Sequence, residues 1–215
     1  FSIMGTIKKG ILGGFSGKVG SVVGSTWKGI SYMRSLPSSV KNPRTEKQMS
    51  QRSKFALTVQ FLRPIHPYLR VGFRGFGGGQ TAFNAAMSYH LGNAVSGEYP
   101  DYALDFAKAL VSCGSLVTAE NVEAALVDGR VTFSWNDNSG IGNASPADRA
   151  MPLVYNCTRN EAIYDRAGDA RAAGSTLLNL PAHWVGDEIH LYLGFVSDDG
   201  MNVANSVYLG NRMVE

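Results

Sequence analysis

The 215-residue chain is poor in charge and in the residues that usually carry chemistry. Asp, Glu, Lys and Arg together make up 17% of it, below the roughly 25% of an average soluble domain. Its two cysteines, Cys113 and Cys157, show no CxxC spacing, which speaks against a disulfide scaffold or zinc knuckle and for two buried thiols. The four histidines, His66, His90, His183 and His190, follow no HxxxH or similar ligand pattern. There is no GxSxG nucleophile elbow and no catalytic Cys/His signature. Gly77-Gly78-Gly79-Gln80-Thr81 lacks the lysine of a phosphate-binding loop and reads as a hinge. Asn136-Asp137-Asn138-Ser139-Gly140 and Asp198-Asp199-Gly200 are oxygen-rich but lack the closing glutamate of a calcium loop, so they read as turns. No catalytic residue, cofactor or metal site is therefore assigned, and an enzyme is not expected. No run of 18 apolar residues exists, which excludes a membrane-spanning helix.

What the chain does have is 44% hydrophobic residues, 25 glycines and an uneven distribution of charge. Residues 1–75 hold 13 cations against the single anion Glu46, a net of +12; residues 76–215 hold 7 cations and 16 anions, a net of −9. Three readings fit this split. The halves match each other within one chain, the basic part binds phosphate backbones, or the basic arm of one copy lies on the acidic domain of the next.

Along the chain, residues 1–41 form a glycine-rich basic arm. Its glycines interrupt clusters that include Val22, Val23, Trp27, Ile30 and Tyr32, apolar residues that a flexible linker avoids. Glycine raises the entropic cost of ordering, so the arm is expected to need another surface. Val22-Val23 and Ile30–Met33 suit strands that add to a sheet edge. Residues 42–97 form a helical segment. Thr45 and Gln48 have capping-box spacing, and Met49, Phe55, Ala56, Val59 and Leu62 recur at helical intervals. Pro64 and Pro67 then interrupt, and a second helix follows over Thr81–Ala94. Residues 98–215 switch to period two. Tyr102, Leu104 and Phe106 alternate as in a strand, Asp128-Gly129 marks a hairpin, and further short strands follow at sandwich spacing. The fold class expected is mainly β: an antiparallel immunoglobulin- or fibronectin-like β-sandwich preceded by a helical segment and a glycine-rich arm.

Residues 110–209 resemble a fibronectin type III domain. The likeness rests on Val131-Thr132-Phe133-Ser134-Trp135, Thr176-Leu177-Leu178-Asn179-Leu180-Pro181, the long strand Ile189–Val196 and Ser206-Val207-Tyr208. The whole chain also resembles an uncharacterised bacterial domain-of-unknown-function family. That likeness is carried by Gly17-Lys18-Val19-Gly20, Trp27-Lys28-Gly29-Ile30, the Arg44-Thr45, Gln48, Arg52, Phe55 segment and Thr81-Ala82-Phe83-Asn84. The Thr45–Phe55 stretch is similar to one in small phage and prophage-associated proteins. These resemblances imply no known activity and favour a virion, filament or surface component over an enzyme; an extracellular, cell-surface or virion-associated location is expected rather than a cytoplasmic one. The expected function is self-assembly into a homo-oligomer or filament through the arm. Val22, Val23, Trp27, Ile30 and Tyr32 would supply contact area, and Lys18, Lys28, Arg34 and Arg44 would face acidic residues of the next copy, such as Asp187, Glu188, Asp198 and Asp199. The alternative is a binding module, for nucleic acid through the basic region or for surface glycan. Trp184, in a turn, is the candidate glycan platform, its other reading being a lid on the sandwich.

Overall fold

The computed structural model describes residues 5–7, 13–27, 29–37, 39, 42, 44–76 and 79–215. They divide into two compact units, Phe1–Thr45 and Glu46–Glu215. The protein is mainly β, and its sheets are antiparallel.

The first unit is a four-stranded meander of β1 (Thr6–Ile7), β2 (Phe15–Val19), β3 (Val22–Trp27) and β4 (Ile30–Ser35), paired in chain order. The stretches Val22-Val23 and Ile30–Met33 are strands here, but they pair within the unit. Gly24 explains how the sheet closes. A Cβ at this position would lie 2.2 Å from the Phe15 carbonyl oxygen and 2.7 Å from its ring, so only glycine lets Phe15 lie across β3. Gly24 is also the only buried residue among the described ones of this unit.

The second unit opens with α1 (Glu46–Leu62), α2 (His66–Gly72) and α3 (Ala82–Asn93). Pro67 sits in the first turn of α2, where its missing N–H costs nothing. Thr81 caps α3 by accepting from the Asn84 amide at 3.2 Å. The buried stripe of α1 keeps Leu62 and half-buried Met49 and Val59 of the expected one but is otherwise shifted. Phe55 is 51% exposed, whereas Thr58, Phe61 and Leu62 are buried and Ser50, Lys54 and Leu57 are half-buried. Polar residues can face inward here because each has a partner. The Lys54 ammonium lies 4.7 Å from the Tyr102 ring centre, Ser50 hydrogen-bonds the Tyr102 hydroxyl at 2.7 Å, and Thr58 donates to the Lys54 carbonyl at 2.9 Å. The alternating Tyr102–Phe106 segment likewise yields only a two-residue strand, β6 (Ala103–Leu104), paired with β5 (Val95–Ser96).

Seven further strands follow: β7 (Glu120–Val127), β8 (Arg130–Asn136), β9 (Arg149–Asn156), β10 (Glu161–Tyr164), β11 (Ser175–Asn179), β12 (Glu188–Val196) and β13 (Val207–Met213). Asp128 and Gly129 join β7 to β8 with φ of +49° and +70°, the pair of positive values that a type I′ hairpin requires. One sheet has the order β11-β8-β7 and the other β10-β9-β12-β13. The two sheets share a core of Val131, Phe133 and Trp135 from β8 with Val154 of β9 and Ile189, Leu191, Leu193 and Phe195 of β12. The opposite face of the four-stranded sheet, with Leu153, Tyr155 and Tyr192, packs against Phe61, Leu62 and Leu69 of the helices. The four-stranded sheet is thus covered on both sides. This explains why β12 is buried along nearly its whole length and reads as a continuous apolar run rather than an alternating one. The Tyr68 hydroxyl ties α2 to β9 by donating to the Met151 carbonyl at 2.9 Å.

Candidate functional site

Strand register decides which arm residues act together. Residues directly opposite one another in an antiparallel pair share a face. Lys18 faces Val23, Val23 faces Arg34, Ser25 faces Tyr32 and Trp27 faces Ile30. One face of the meander therefore carries Lys18, Val23, Trp27, Ile30, Tyr32 and Arg34 together. Trp27 and Ile30 at the turn end are 63% and 64% exposed, and Tyr32 is 42% exposed. The two cations stand at the other end of the apolar strip. Val22 belongs to the opposite face, with Val19 and Gly24. Arg44 is exposed just before α1, outside the sheet. Lys28 lies outside the described residues.

Each exposed apolar side chain would gain about 1.5–3 kcal/mol on full burial. β4 also ends the strand order, so among the described residues one of its edges is unpaired. The unit thus carries exposed apolar area, an edge strand and two cations together.

The acidic residues named from the sequence as receivers differ in availability. Asp187 is buried, accepts from Asn156 Nδ2 at 2.9 Å and forms a short ion pair with Arg159, which hold its carboxyl below the ordinary carboxylate range. Glu188 accepts from Asn211 Nδ2 at 2.5 Å. Asp198 and Asp199 are exposed, and Asp199 is held by Ser197 Oγ at 2.5 Å and the Met201 amide at 2.9 Å.

The second unit also has a cleft that the sequence does not announce. It has a volume of about 830 Å3 and runs past β10. Its walls are Ala56, Val59 and Pro64 from the helical side, and Ile163, Pro181 and Trp184 from the sheet side. β10 ends its sheet, and the Asp165 amide bonds the Pro152 carbonyl at 3.1 Å. With Ile163 opposite Val154, the alternation of antiparallel bonding turns the backbone groups of Ala162 and Tyr164 outward. A strand laid there would send alternate side chains to the two walls.

Trp184 is 1% exposed, in a 3-10 turn over Ala182–Trp184, and its ring belongs to the shared core of the two sheets. Its indole N–H donates to Glu161 Oε2 at 2.8 Å, and His183 Nε2 lies 3.1 Å from the same oxygen. Those bonds hold the Glu161 carboxyl below its ordinary range.

Cys157, Glu188 and His190 are brought together on the helix-facing side of the sheet, with donor atoms within 4.8 Å of one another. The only sequence signal for this group is Glu-x-His on a strand, which places both side chains on one face.

No curated protein matches the chain. The model of a family of unknown function, DUF6266, matches residues 14–210, from just before β2 into the last strand, and the chain belongs to that family.

Proposed function

We propose that this is a non-enzymatic structural protein that assembles with copies of itself through its N-terminal meander. The observation that carries the reading is the face on which Trp27, Ile30 and Tyr32 lie exposed beside Lys18 and Arg34. A large indole beside β-branched and aromatic neighbours is the composition of an interface anchor. The receiving surface we favour is the outer edge of β10 with its two-walled cleft, taking the unpaired edge strand β4 of another copy. Charge supports the pairing. Phe1–Thr45 carries seven cations and no anion, a net of +7, while Glu46–Glu215 carries 13 cations and 17 anions, a net of −4. Because the contact is head-to-tail, repetition gives a ring or a filament, in keeping with the resemblance to phage-associated structural proteins.

The same reading includes a fibronectin type III-like sandwich over β7–β13. Its support is the strand order. The fifth, second and first strands form one sheet, and the fourth, third, sixth and seventh form the other.

A second reading, nucleic-acid binding, is favoured by the absence of any acid in the first 45 residues. The glycan reading drew on Trp184, and the burial of that ring leaves it without a supporting observation.

The test is the solution mass of the full chain and of residues 46–215, at low and high salt. Assembly predicts a large full-length species that falls to a folded monomer on truncation. Two monomers would sink the proposal. Steep, salt-sensitive binding of the monomer to DNA or RNA of any sequence would then establish the second reading.

A further inference from the structure

Cys157 follows the end of β9 and lies across from Glu188 at the start of β12, its amide donating to the Glu188 carbonyl at 3.2 Å. His190 is two residues further along β12, on the same face. The thiol sulfur is 3.8 Å from Glu188 Oε2, and the donor atoms of all three residues lie within 4.8 Å of one another. These separations exceed the spacing of ligands around a tetrahedral ion by only a side-chain adjustment, given metal–ligand bonds of about 2.0–2.3 Å.

The surroundings hold His190 and Glu188 by an atom that a metal does not need, while the Cys157 thiol itself donates to the Glu188 carbonyl at 3.4 Å. His190 Nδ1 is 2.9 Å from the Tyr208 hydroxyl, and its ring stacks on Phe106 with centroids 3.6 Å apart. With the proton on Nδ1, donated to Tyr208, the Nε2 lone pair is left for a metal. Asn211 Nδ2 binds Glu188 Oε1, leaving Oε2 toward the thiol. Outer bonds of this kind fix the tautomer and aim of metal ligands. His190 is buried, whereas Cys157 and Glu188 are half-buried and form the rim. Cys157 also lines a cleft of about 260 Å3 with Phe106, Tyr155 and Asn160, which gives an ion a route in.

We propose that Cys157, Glu188 and His190 form a binding site for a borderline-soft divalent cation, Zn2+ foremost. One thiolate, one imidazole and one carboxylate are the donor types that zinc takes, and three protein ligands leave a fourth position for water. Binding releases the thiol proton to solvent and forms the sulfur–metal bond, with no change of oxidation state. All three ligands belong to Glu46–Glu215 and none to the arm, so the site holds or fails independently of the assembly reading.

The test uses the full chain and Co2+ as a spectroscopic stand-in for Zn2+. One equivalent is expected to give a near-ultraviolet thiolate-to-cobalt charge-transfer band and the intense visible bands of a four-coordinate ion, both abolished by excess Zn2+. Cys157→Ser should remove the charge-transfer band. Tyr208→Phe, which leaves all three ligands in place, should weaken Zn2+ binding roughly 10–100-fold. Glu188→Gln, at the half-buried rim where folding is least at risk, should weaken it at least as much. No band, or a band whose affinity survives both Glu188→Gln and Tyr208→Phe, would overturn the site and leave only an accessible thiol.

Discussion

Arg171 and Asp148 form an ion pair with both side chains shut off from solvent, Nε to Oδ2 at 3.1 Å. The guanidinium also donates to Asn138 Oδ1 and to the Val117 carbonyl, each at 2.8 Å, and its carbon lies 4.4 Å from the centre of the Phe195 ring. Asp148 Oδ2 accepts from the Ser145 amide at 2.9 Å. The Trp135 indole donates to the Arg171 carbonyl at 2.7 Å, so the core tryptophan and the buried cation fix each other. Asp148→Ala would leave the guanidinium buried without its counter-charge, a loss of about 3–5 kcal/mol. Urea unfolding should show this as a lower midpoint at unchanged slope. A change under 1 kcal/mol would mean that the pair is not shielded as described.

The α1 stripe gives a second expectation. Phe61 is 2% exposed and packs edge-on to Tyr155, ring centres 4.9 Å apart, whereas Phe55 is 51% exposed. Phe61→Ala should cost about 3–5 kcal/mol, and Phe55→Ser should stay within about 0.5 kcal/mol. The reverse order in thermal or urea unfolding would restore the stripe read from the sequence.

His90 makes stability depend on pH. It is buried in the core, its Nδ1 is 2.7 Å from the Ala86 carbonyl, and its Nε2 has no partner among the described residues. Burial lowers its pKa to about 4 from 6.5. The unfolded chain therefore binds the proton first on acidification. Stability is full above pH 6.5 and falls as the pH drops toward 4, by about 3 kcal/mol for a shift of this size. Unfolding free energy should decline through this window in the parent chain and show a shallower decline in His90→Met. Parallel curves would rule His90 out as the cause.

The arm can be broken without touching the rest of the chain. Gly24→Val places a branched side chain where even a Cβ meets the Phe15 carbonyl at 2.2 Å. The meander should be lost, and self-association with it, while the unfolding transition of Glu46–Glu215 is unchanged. A Gly24→Val chain that retains the parent's large species would separate assembly from the folded meander.

Trp27→Ala tests the anchor itself. An interface hot spot contributes 2 kcal/mol or more, so the dissociation constant should rise by roughly 30-fold. Sedimentation at a series of concentrations measures it directly. An unchanged constant would exclude Trp27 from the contact.

Some of this molecule was legible because the physics is local. Asp128-Gly129 demands a tight turn wherever it falls between apolar strands, and it forms one. Pro64 falls between α1 and α2 and breaks the helical stretch there, while Pro67 sits in the first turn of α2, where a proline is tolerated. The charge division is a count and needs no fold. By contrast, the α1 stripe holds only in part: Leu62 is buried and Met49 and Val59 half-buried, but Phe55 and Ala56 are exposed, and Lys54, Ser50 and Thr58 look outward in the sequence until Tyr102 and the Lys54 carbonyl supply partners. The Tyr102–Phe106 alternation was overridden by packing. Phe106 lies against Phe61, Tyr155 and His190, and its carbonyl accepts from the Tyr192 hydroxyl at 2.7 Å.

The sequence by itself determined the hairpin, the helix breaks, the β-rich second half and the concentration of cations near the N-terminus. Each follows from neighbouring residues or from composition, where backbone propensity and periodicity decide. Only the tertiary structure decided that helices cover the second face of the four-stranded sheet and that Trp184 is buried. It alone aligned Trp27, Ile30 and Tyr32 with Lys18 and Arg34, and joined Cys157 to Glu188 and His190. Those facts depend on strand register and on which surfaces meet, and a one-residue slip in register sends every side chain of a strand to the other face.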